Sequence, residues 1–265
     1  MTVLNDQHRT QVVRYQNALI GVAAGDAWGY QVEFRRYADM PSYPVTAPAD
    51  QWVISDDTQM TLALHFALTE VDDFDDINSV TDSIVRHFIM WQFDPDNYRA
   101  PGRSCMASVS NLGAGARWYD ADGAVESAGC GAVMRLVPAA FAPERHWKGV
   151  AALQAVITHR HPRALVPALL LADAVRNAPE RGGRFLDVAL EQTEAIYDGT
   201  SSWLTDTYLD QVLAAYPHSG DVSSLLVAGL NDGVVDILIA AAETRDQLLE
   251  IQPDRLGDRS LRRHR

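Results

Sequence analysis

The chain has 265 residues, which is long enough to bury a complete hydrophobic core in one domain or in two. Hydrophobic residues make up 47% of the sequence, so we expect a globular protein and not a disordered one. The formal net charge of −13 argues against a surface that binds nucleic acid, and it leaves carboxylates available for a metal ion.

The two cysteines, Cys105 and Cys130, lack the spacing of zinc ligands, and two are too few for a disulfide framework. The polar residues 5–8 (NDQH) do not resemble a signal peptide. No apolar run approaches the length of a membrane span. We therefore expect a soluble, cytoplasmic protein with neither nucleic-acid nor membrane partners.

The first predicted helix covers residues 7–27, whose apolar face ends in the glycine-rich stretch 21–29 (GVAAGDAWG). Glycines in this stretch permit either close backbone packing or a sharp turn, and we interpret residues 25–29 (GDAWG) as a turn. Glu33 follows shortly after it. Residues 35–54 contain three prolines and no helical period, which predicts a loop with a short extended piece at 51–54.

The stretch 55–60 (SDDTQM) begins the next predicted helix, at 57–70. Ser55 or Asp56 can cap this helix, and Asp56 and Gln59 have the spacing of a capping box. Acidic residues are common at such positions for structural reasons alone. The alternative is a site for a hard cation, because adjacent carboxylate and hydroxyl oxygens suit Mg²⁺ or Mn²⁺.

Four aspartates between residues 72 and 76 form an acidic connection that we expect to be solvated. The following helix is predicted at 77–93, with its apolar residues on one face and Pro95 as its stop. A further helix, composed mainly of small residues, ends near residue 116. Residues 117–128 form a polar loop.

The stretch 127–135 (SAGCGAVMR) is a glycine-rich turn that leads into an apolar helix. Backbone N–H groups in such a turn can face a phosphate. A tight turn that serves close helix packing is the alternative. From residue 147 onward nearly all of the chain is predicted to be helical, with helices at 149–158, 163–177, 184–197, 203–215 and 222–245.

No stretch alternates for long enough to form a sheet, so we predict an all-α fold, a single compact multi-helix domain over residues 1–250. His159 and His161 lie between two of the late helices, and singly each is best explained as a core or surface histidine. The Arg-rich residues 251–265 have almost no apolar period, and we expect them to form a mobile tail.

Four of these stretches, in this order, resemble the ADP-ribosylglycohydrolase family, which includes the dinitrogenase-reductase-activating glycohydrolases: residues 21–33, 55–60, 129–135 and 158–159. The resemblance implies an orthogonal all-α fold around a binuclear Mg²⁺ or Mn²⁺ site. It also implies hydrolysis of the bond between C1″ of a terminal ribose and an amino-acid side chain. The substrate would be an ADP-ribosylated protein or an ADP-ribose-containing small molecule.

The resemblance also assigns roles to individual positions. Ser55, Asp56 and Asp57 match the metal-ligand motif, and the two aspartates would serve in catalysis as well. Glu33 matches a glutamate near the metals, on a mobile loop, that some members use as a base or gate. Ser127, Gly129 and Gly131 match a turn around the diphosphate, which Met134 and Arg135 complete. Ala132 in the same turn is a further substrate position. His159 matches a histidine that contacts the phosphates.

One family motif has no match in this sequence. The family closes its metal site with Asp-x-Asp followed by Ser or Thr on a late helix. Residues 233–242 resemble the helix that normally precedes this motif, and the Arg-rich stretch follows them. Asp221 and Asp236 are the candidates that remain to complete the site.

Two functions of different classes are therefore open. The first is metal-dependent hydrolysis of an ADP-ribosyl bond, which the presence of Glu33, Asp56 and Asp57 favours. The second is a non-catalytic relative that binds ADP-ribose or a protein partner, which the missing late aspartates favour. A different all-α metallohydrolase, for example one acting on phosphate esters, is a weaker alternative because residues 159–162 (HRHP) contain no His-Asp pair.

Overall fold

The computed structural model describes residues 6–42, 45–49, 51–181, 184–216, 220–231 and 233–251. These residues form α-helices joined by loops and short 3-10 helices, and this part of the chain contains no β-strand. Within it, an isolated parallel bridge joins Val125 and His159. The predicted all-α fold is confirmed. The tail beyond residue 251 lies outside the described residues.

The α-helices follow one another in the order α1 (Asp6–Tyr30), α2 (Asp56–Thr69), α3 (Ile77–Gln92), α4 (Arg103–Gly113), α5 (Val137–Ala140), α6 (Trp147–Val156), α7 (Pro162–Asn177), α8 (Phe185–Tyr197), α9 (Thr207–Ala214), α10 (Val222–Leu230) and α11 (Val234–Ile251). The predicted glycine-rich turn is present as the 3-10 helix Cys130–Ala132, shortly before the short helix α5. Further 3-10 helices cover Tyr37–Asp39, Ala178–Arg181 and Ser202–Thr205.

Helix α6 lies at the centre of the core. All of its residues except Lys148 are buried, and it packs against α5, α7 and α9. Polar Gln154 is fully buried on this helix. Because buried polar groups need hydrogen-bond partners, Gln154 must bind groups of the protein, and it does so beneath the glycine-rich turn.

Helix α3 has the predicted amphipathic pattern. It packs against α2 and α4, and its apolar face is almost completely removed from solvent. The residues of that face are Val80, Ile84, Phe88 and Trp91. The period of the apolar residues predicted the buried face of α3 correctly because these residues form a single stripe that faces the core.

The acidic connection before α3 makes specific contacts. Asp76 is the N-cap of α3, where its carboxylate accepts a hydrogen bond from the N–H of Asn78 at 3.0 Å. Asp75 forms an ion pair with Arg145 and accepts a hydrogen bond from the ring of His146 at 2.8 Å. Both aspartates are exposed, as expected, and in addition each has a specific partner that the charge pattern did not indicate.

Helix α1 continues through the glycine-rich stretch to Tyr30, so the predicted helix at 7–27 is confirmed and the predicted turn at 25–29 is wrong. A Cβ atom built on Gly21, Gly25 or Gly29 would meet no other atom within 4 Å, which shows that close packing does not require these glycines either. Each glycine makes a helix about 1 kcal/mol less stable than alanine would. A helix that is already nucleated can continue through such residues, because propagation is easier than nucleation.

Two of the late predicted helices are divided. The predicted helix 203–215 is split into the 3-10 helix Ser202–Thr205 and α9, because Asp206 caps a new helix by accepting from the N–H of Leu209 at 2.8 Å. The predicted helix 222–245 is split into α10 and α11. Gly233 between them has a φ of 86°, a left-handed conformation that a right-handed helix cannot include.

No single helix in the described part of the chain is both long and apolar enough to cross a membrane. The pair Val222–Leu230 and Val234–Glu243, bent by 54°, meets this criterion jointly by length and composition. Helix α10 of this pair packs against α7 and α8.

Helix α6 approaches α9 closely at Gly149, where a Cβ atom would lie 2.1 Å from Cδ1 of Tyr208. We expect Gly149→Ala to lower the free energy of unfolding by roughly 1–3 kcal/mol, because the added methyl forces the two helices apart. Gly21→Ala is the matched control, since a Cβ there has open space and should be neutral or stabilising. Urea unfolding followed by circular dichroism measures both changes. Equal midpoints for Gly149→Ala and the wild type would contradict the close approach.

Candidate active site

The carboxylate of Asp26, near the end of α1, binds the N-terminus of α2. It accepts hydrogen bonds from the N–H and the hydroxyl of Ser55, at 2.9 and 2.7 Å. It also accepts from the N–H and the hydroxyl of Thr58, at 3.1 and 2.5 Å. The first N–H groups of a helix lack backbone partners, and the helix dipole is positive there. Asp26 therefore fixes the start of α2 relative to α1.

Ser55 is the N-cap of α2, as predicted. Its hydroxyl accepts from the N–H of Asp57 at 3.2 Å and donates to the carboxylate of α1, which leaves one lone pair for a cation. The capping box predicted for Asp56 and Gln59 does not form. The side chain of Gln59 instead donates to the backbone carbonyl of Asp96 at 3.0 Å.

Asp56 ties the start of α2 to the segment before α4. Its side chain is buried, and Oδ2 accepts a hydrogen bond from the N–H of Gly102 at 2.8 Å. Its own N–H donates to the carbonyl of Arg99 at 3.1 Å. One backbone hydrogen bond therefore holds the Asp56 carboxylate, and the other holds its main chain.

Glu33 lies in the turn that follows α1, and its side chain is exposed. In the same turn the side chain of Gln31 donates to the carbonyl of Thr46 at 3.3 Å, which holds the long loop against this turn. The charge of Glu33 raises the pKa of both Asp56 and Asp57. The structure therefore brings Glu33 close enough to the two aspartates for their charges to interact, and the predicted cleft is the region around these carboxylates.

The carboxylates of this cleft repel one another. Burial and, in decreasing order, the charges of Asp56, Asp26 and Glu33 together raise the pKa of Asp57 to about 7. Burial also raises the pKa of Asp56 to about 6, although the hydrogen bond from Gly102 opposes the shift. Burial and Asp26 raise the pKa of Glu33. A cleft with this charge favours protons or a cation.

The cleft suits a hard divalent cation in charge and in donor type, because carboxylate and hydroxyl oxygens are the ligands that Mg²⁺ and Mn²⁺ prefer. Asp56, Asp57 and Ser55 are the residues that could hold it. Among the residues that the structure describes, however, no group of three or more His, Cys, Asp or Glu side chains could hold a metal ion. The donor types therefore fit the ion, and the described residues present fewer than three converging ligands of these four types.

The glycine-rich turn lies beside these carboxylates. Burial raises the pKa of the Cys130 thiol, and the charge of Asp57 is the next cause. The hydroxyl of Ser127 accepts from the N–H of Gly129 at 3.2 Å and from the hydroxyl of Ser104 at 2.9 Å. These bonds fix the entry into the turn.

The ring of His159 lies against the two glycines of the turn. A Cβ atom on Gly131 would lie 2.7 Å from both Sγ of Cys105 and Cε1 of His159. A Cβ atom on Gly129 would lie 3.4 Å from Nε2 of His159. A side chain at Gly131 would therefore collide with His159, which is the physical reason for glycine there, whereas a Cβ on Gly129 would only come into contact with the ring.

Ala132 and Met134 connect the turn to the neighbouring helices. Ala132 is buried, and its carbonyl accepts from the side-chain amide of Gln154 on α6 at 2.9 Å. The half-buried Met134 has its carbonyl 3.5 Å from the hydroxyl of Thr61 on α2. Contact of these two residues with a substrate stays a prediction.

The two histidines of residues 159–161 have different environments. His159 is buried, and its Nδ1 lies 2.8 Å from the hydroxyl of Thr158. Burial and the charge of Arg135 together lower the pKa of His159 to about 3. The Nδ1 of His161 accepts from the N–H of Arg163 in the first turn of α7, which is a structural role.

The late aspartates do not reach the cleft. Asp221 caps α10 by accepting from the N–H of Ser224 at 2.8 Å, and this bond lowers the pKa of Asp221. Asp236 is exposed on α11. Neither is among the charges that shift the pKa of Asp56 or Asp57.

Asp26 is the residue that sequence reasoning missed. It is the one acidic residue in the glycine-rich stretch 21–29, between small and apolar neighbours. A carboxylate in such a segment must find partners when the segment packs, and that was the available signal. Its partners, Ser55 and Thr58, are separated from it by about thirty residues, so sequence spacing could not indicate them.

The sequence matches the model of the ADP-ribosylglycohydrolase family over residues 7–250. The chain belongs to the ADP-ribosylglycohydrolase family. It is also 29% identical over 251 residues to the ADP-ribosyl-[dinitrogen reductase] glycohydrolase of Rhodospirillum rubrum, a match that covers 83% of this chain and 79% of that relative. The resemblance seen in the motifs is confirmed, and it sets aside an unrelated all-α hydrolase of phosphate esters.

We expect Asp26→Ala to lower the free energy of unfolding by roughly 2–4 kcal/mol, because four donors at the start of α2 lose a charged acceptor. The control is Asp82→Ala, which removes an exposed carboxylate from α3 and should change stability by less than about 0.5 kcal/mol. Urea unfolding of both variants gives the comparison. An Asp26→Ala variant as stable as the wild type would contradict the anchoring role.

The raised pKa of Asp57 predicts how pH affects the metal-free protein. Because folding raises this pKa from its ordinary value of 3.8 to about 7, the folded state binds the proton more tightly than the unfolded state does. This contribution to stability is present below pH 3.8 and is lost as the pH rises through 7. In EDTA, Asp57→Asn should therefore gain stability relative to the wild type between pH 5 and pH 8, as urea midpoints would show. Parallel pH profiles would contradict the shift.

Proposed function

We propose that the protein is a metal-dependent hydrolase that removes ADP-ribose from modified protein side chains or from a related ADP-ribosyl compound. The observation that carries the proposal is the cleft itself. It combines the acidic N-terminus of α2 with a glycine-rich turn whose Cys130 experiences the charge of Asp57. This arrangement occurs in a chain of the ADP-ribosylglycohydrolase family.

The acidic half of the cleft would bind the terminal ribose through a cation. Asp56 and Asp57, with the remaining lone pair of Ser55, would hold Mg²⁺ or Mn²⁺. A cation bound there would orient the ribose hydroxyls and lower the pKa of a water molecule. The hydrogen bonds from Gly102 and to Asp26 hold Asp56 and Ser55 in place before the cation binds.

Glu33 is the residue that we assign to proton transfer. It belongs to a turn and is exposed, so its carboxylate can reach the water that attacks C1″. Burial and the charge of Asp26 raise its pKa, which makes the carboxylate a stronger base than a solvated glutamate. The water would lose a proton to Glu33 as its oxygen bonds to C1″ and the bond from C1″ to the side chain breaks, and Glu33 would return this proton to the departing side-chain atom.

The glycine-rich turn and His159 would bind the diphosphate. The absence of side chains at Gly129 and Gly131 lets a phosphate approach the backbone, as His159 already does from its own side. Binding energy from the diphosphate, which does not react, would position C1″ against the water. Ser127, bonded to the N–H of Gly129, keeps the turn in this shape.

We further propose that the chain holds at most one divalent cation well, so that its turnover is weak. Each missing carboxylate removes a charged ligand from a site that must balance two divalent ions. The small number of converging ligands in the described residues supports this step. It also favours the second candidate function, a non-catalytic relative that binds ADP-ribose or a protein partner.

Calorimetry and an activity assay together test the proposal. We expect one Mg²⁺ or Mn²⁺ per chain, and Asp57→Asn should weaken its binding at least roughly tenfold because a charged ligand is lost. Release of ADP-ribose from a modified protein should be slow in millimolar Mg²⁺ or Mn²⁺, and absent in EDTA and in Asp57→Asn.

Asp221→Asn is the matched control, since this aspartate caps α10 and should affect neither metal binding nor release. Two tight metal sites with rapid release would contradict the proposed impairment. ADP-ribose binding without any release would favour the non-catalytic relative. A chain that binds neither ADP-ribose nor a divalent cation would contradict the proposed function itself.

A further inference from the structure

Arg135 is a fully buried cation directly beneath the cleft. Its Nε donates to the side-chain oxygen of Gln154 at 2.9 Å, and one Nη2 hydrogen goes to the carbonyl of the same residue at 2.7 Å. The guanidinium lies 4.6 Å from the ring centroid of Phe88. None of the ion pairs between described residues includes Arg135. A buried cation without an acidic partner is costly, so its remaining contacts are informative.

One of those contacts determines the direction of a hydrogen bond. Nη2 of Arg135 also lies 2.5 Å from the hydroxyl oxygen of Thr158, which is completely buried. Arginine has donors and no acceptor, so the Thr158 oxygen must accept this bond. The hydroxyl hydrogen of Thr158 then needs another acceptor, because an unpaired buried O–H is unfavourable.

The acceptor for that hydrogen is Nδ1 of His159, at 2.8 Å. If Nδ1 carried a proton, it would face the hydroxyl of Thr158 as a second donor, and the hydroxyl hydrogen would lose its partner. A neutral imidazole has one protonated and one unprotonated nitrogen. The proton of His159 must therefore be on Nε2.

The neighbouring charge excludes the doubly protonated ring. Burial and the positive charge of Arg135 both lower the pKa of His159, to about 3. The ring is therefore neutral in any ordinary buffer. Its protonated Nε2 is the ring atom that lies closest to the position of a Cβ on Gly129, 3.4 Å away, and no hydrogen bond among the described residues uses it.

We propose that Arg135 and Thr158 are positioning residues that hold His159 as the neutral Nε2–H tautomer, so that Nε2–H donates a hydrogen bond into the glycine-rich turn. The ligand of this donor would be a phosphate oxygen of the ADP-ribose diphosphate, and that identity rests on the proposed function. A fixed N–H donor needs no reorientation when the ligand binds. It also adds no positive charge that the nearby carboxylates could attract.

The tautomer can be observed without any ligand. In protein labelled with ¹⁵N at histidine, the ring resonances of His159 are identified by their loss in His159→Gln. We expect a single tautomer in the wild type, with Nε2 protonated and Nδ1 unprotonated. A spectrum with the proton on Nδ1, or with both tautomers populated, would overturn the proposal.

Two substitutions at Thr158 form a matched pair. Thr158→Val keeps the shape of the side chain and removes the hydroxyl, so the His159 spectrum should change to a mixture of tautomers. Thr158→Ser keeps the hydroxyl and should retain the wild-type spectrum. Binding of ADP-ribose, measured by calorimetry, should weaken up to roughly tenfold in Thr158→Val and recover in Thr158→Ser, since about one hydrogen bond is at stake.

Arg135→Met tests the hydrogen bond from Arg135 to Thr158. Without the guanidinium, the Thr158 hydroxyl is free to accept from Nδ1, and a mixture of tautomers is again expected. If this variant does not fold, the pair at Thr158 still decides the matter. A Thr158→Val spectrum identical to that of the wild type would overturn the proposal.

The two proposals fail in different ways. If wild-type His159 is the Nε2–H tautomer and responds to Thr158→Val, but the protein does not bind ADP-ribose, the proposed function is wrong and the role of Arg135 and Thr158 in setting the tautomer stands. If wild type and Thr158→Val bind ADP-ribose equally, the positioning role is wrong and the proposed function stands.

Discussion

The hydrogen bonds between Asp26 and the start of α2 are the interaction on which the rest of the cleft depends. They place one carboxylate at the positive end of a helix dipole and satisfy donors that α2 cannot satisfy itself. Because Ser55 is one of these partners, the same bonds determine where Asp56 and Asp57 lie. The end of α1 and the start of α2 are therefore fixed relative to each other. The position of Glu33 depends on the same contact, because Glu33 lies in the turn directly after α1.

This unit concentrates negative charge that the surrounding structure must balance. Four hydrogen bonds stabilise the charge of Asp26, and the N–H of Gly102 stabilises that of Asp56. The pKa values of Asp56, Asp57 and Glu33 are all raised, and that of the half-buried Asp57 is raised most. A cation would relieve this repulsion, which is why the proposed metal belongs here. The buried positive charge of Arg135 lies on the other part of the cleft, beneath the turn that we assign to the diphosphate.

The glycine-rich turn shows how the core sets the geometry of the site. Gln154, on the central helix α6, donates to the carbonyl of Ala132 in the turn and accepts from Arg135. Arg135 in turn binds Thr158, which orients His159. A fully buried polar network thus connects the centre of the fold to the surface of the cleft, and each member needs the others to satisfy its hydrogen bonds.

The sequence by itself determined the fold class, the buried face of α3, the start of α2 at Ser55 or Asp56 and the family, because these depend on local spacing and on short motifs. Only the tertiary structure decided the roles of Asp26 and Arg135, whose partners are distant in the chain. It also corrected the glycine-rich stretch of α1, since glycine permits a turn but does not require one. Hydrophobic periodicity reports which face of a segment is buried, but it contains no information about which distant polar group that segment will meet.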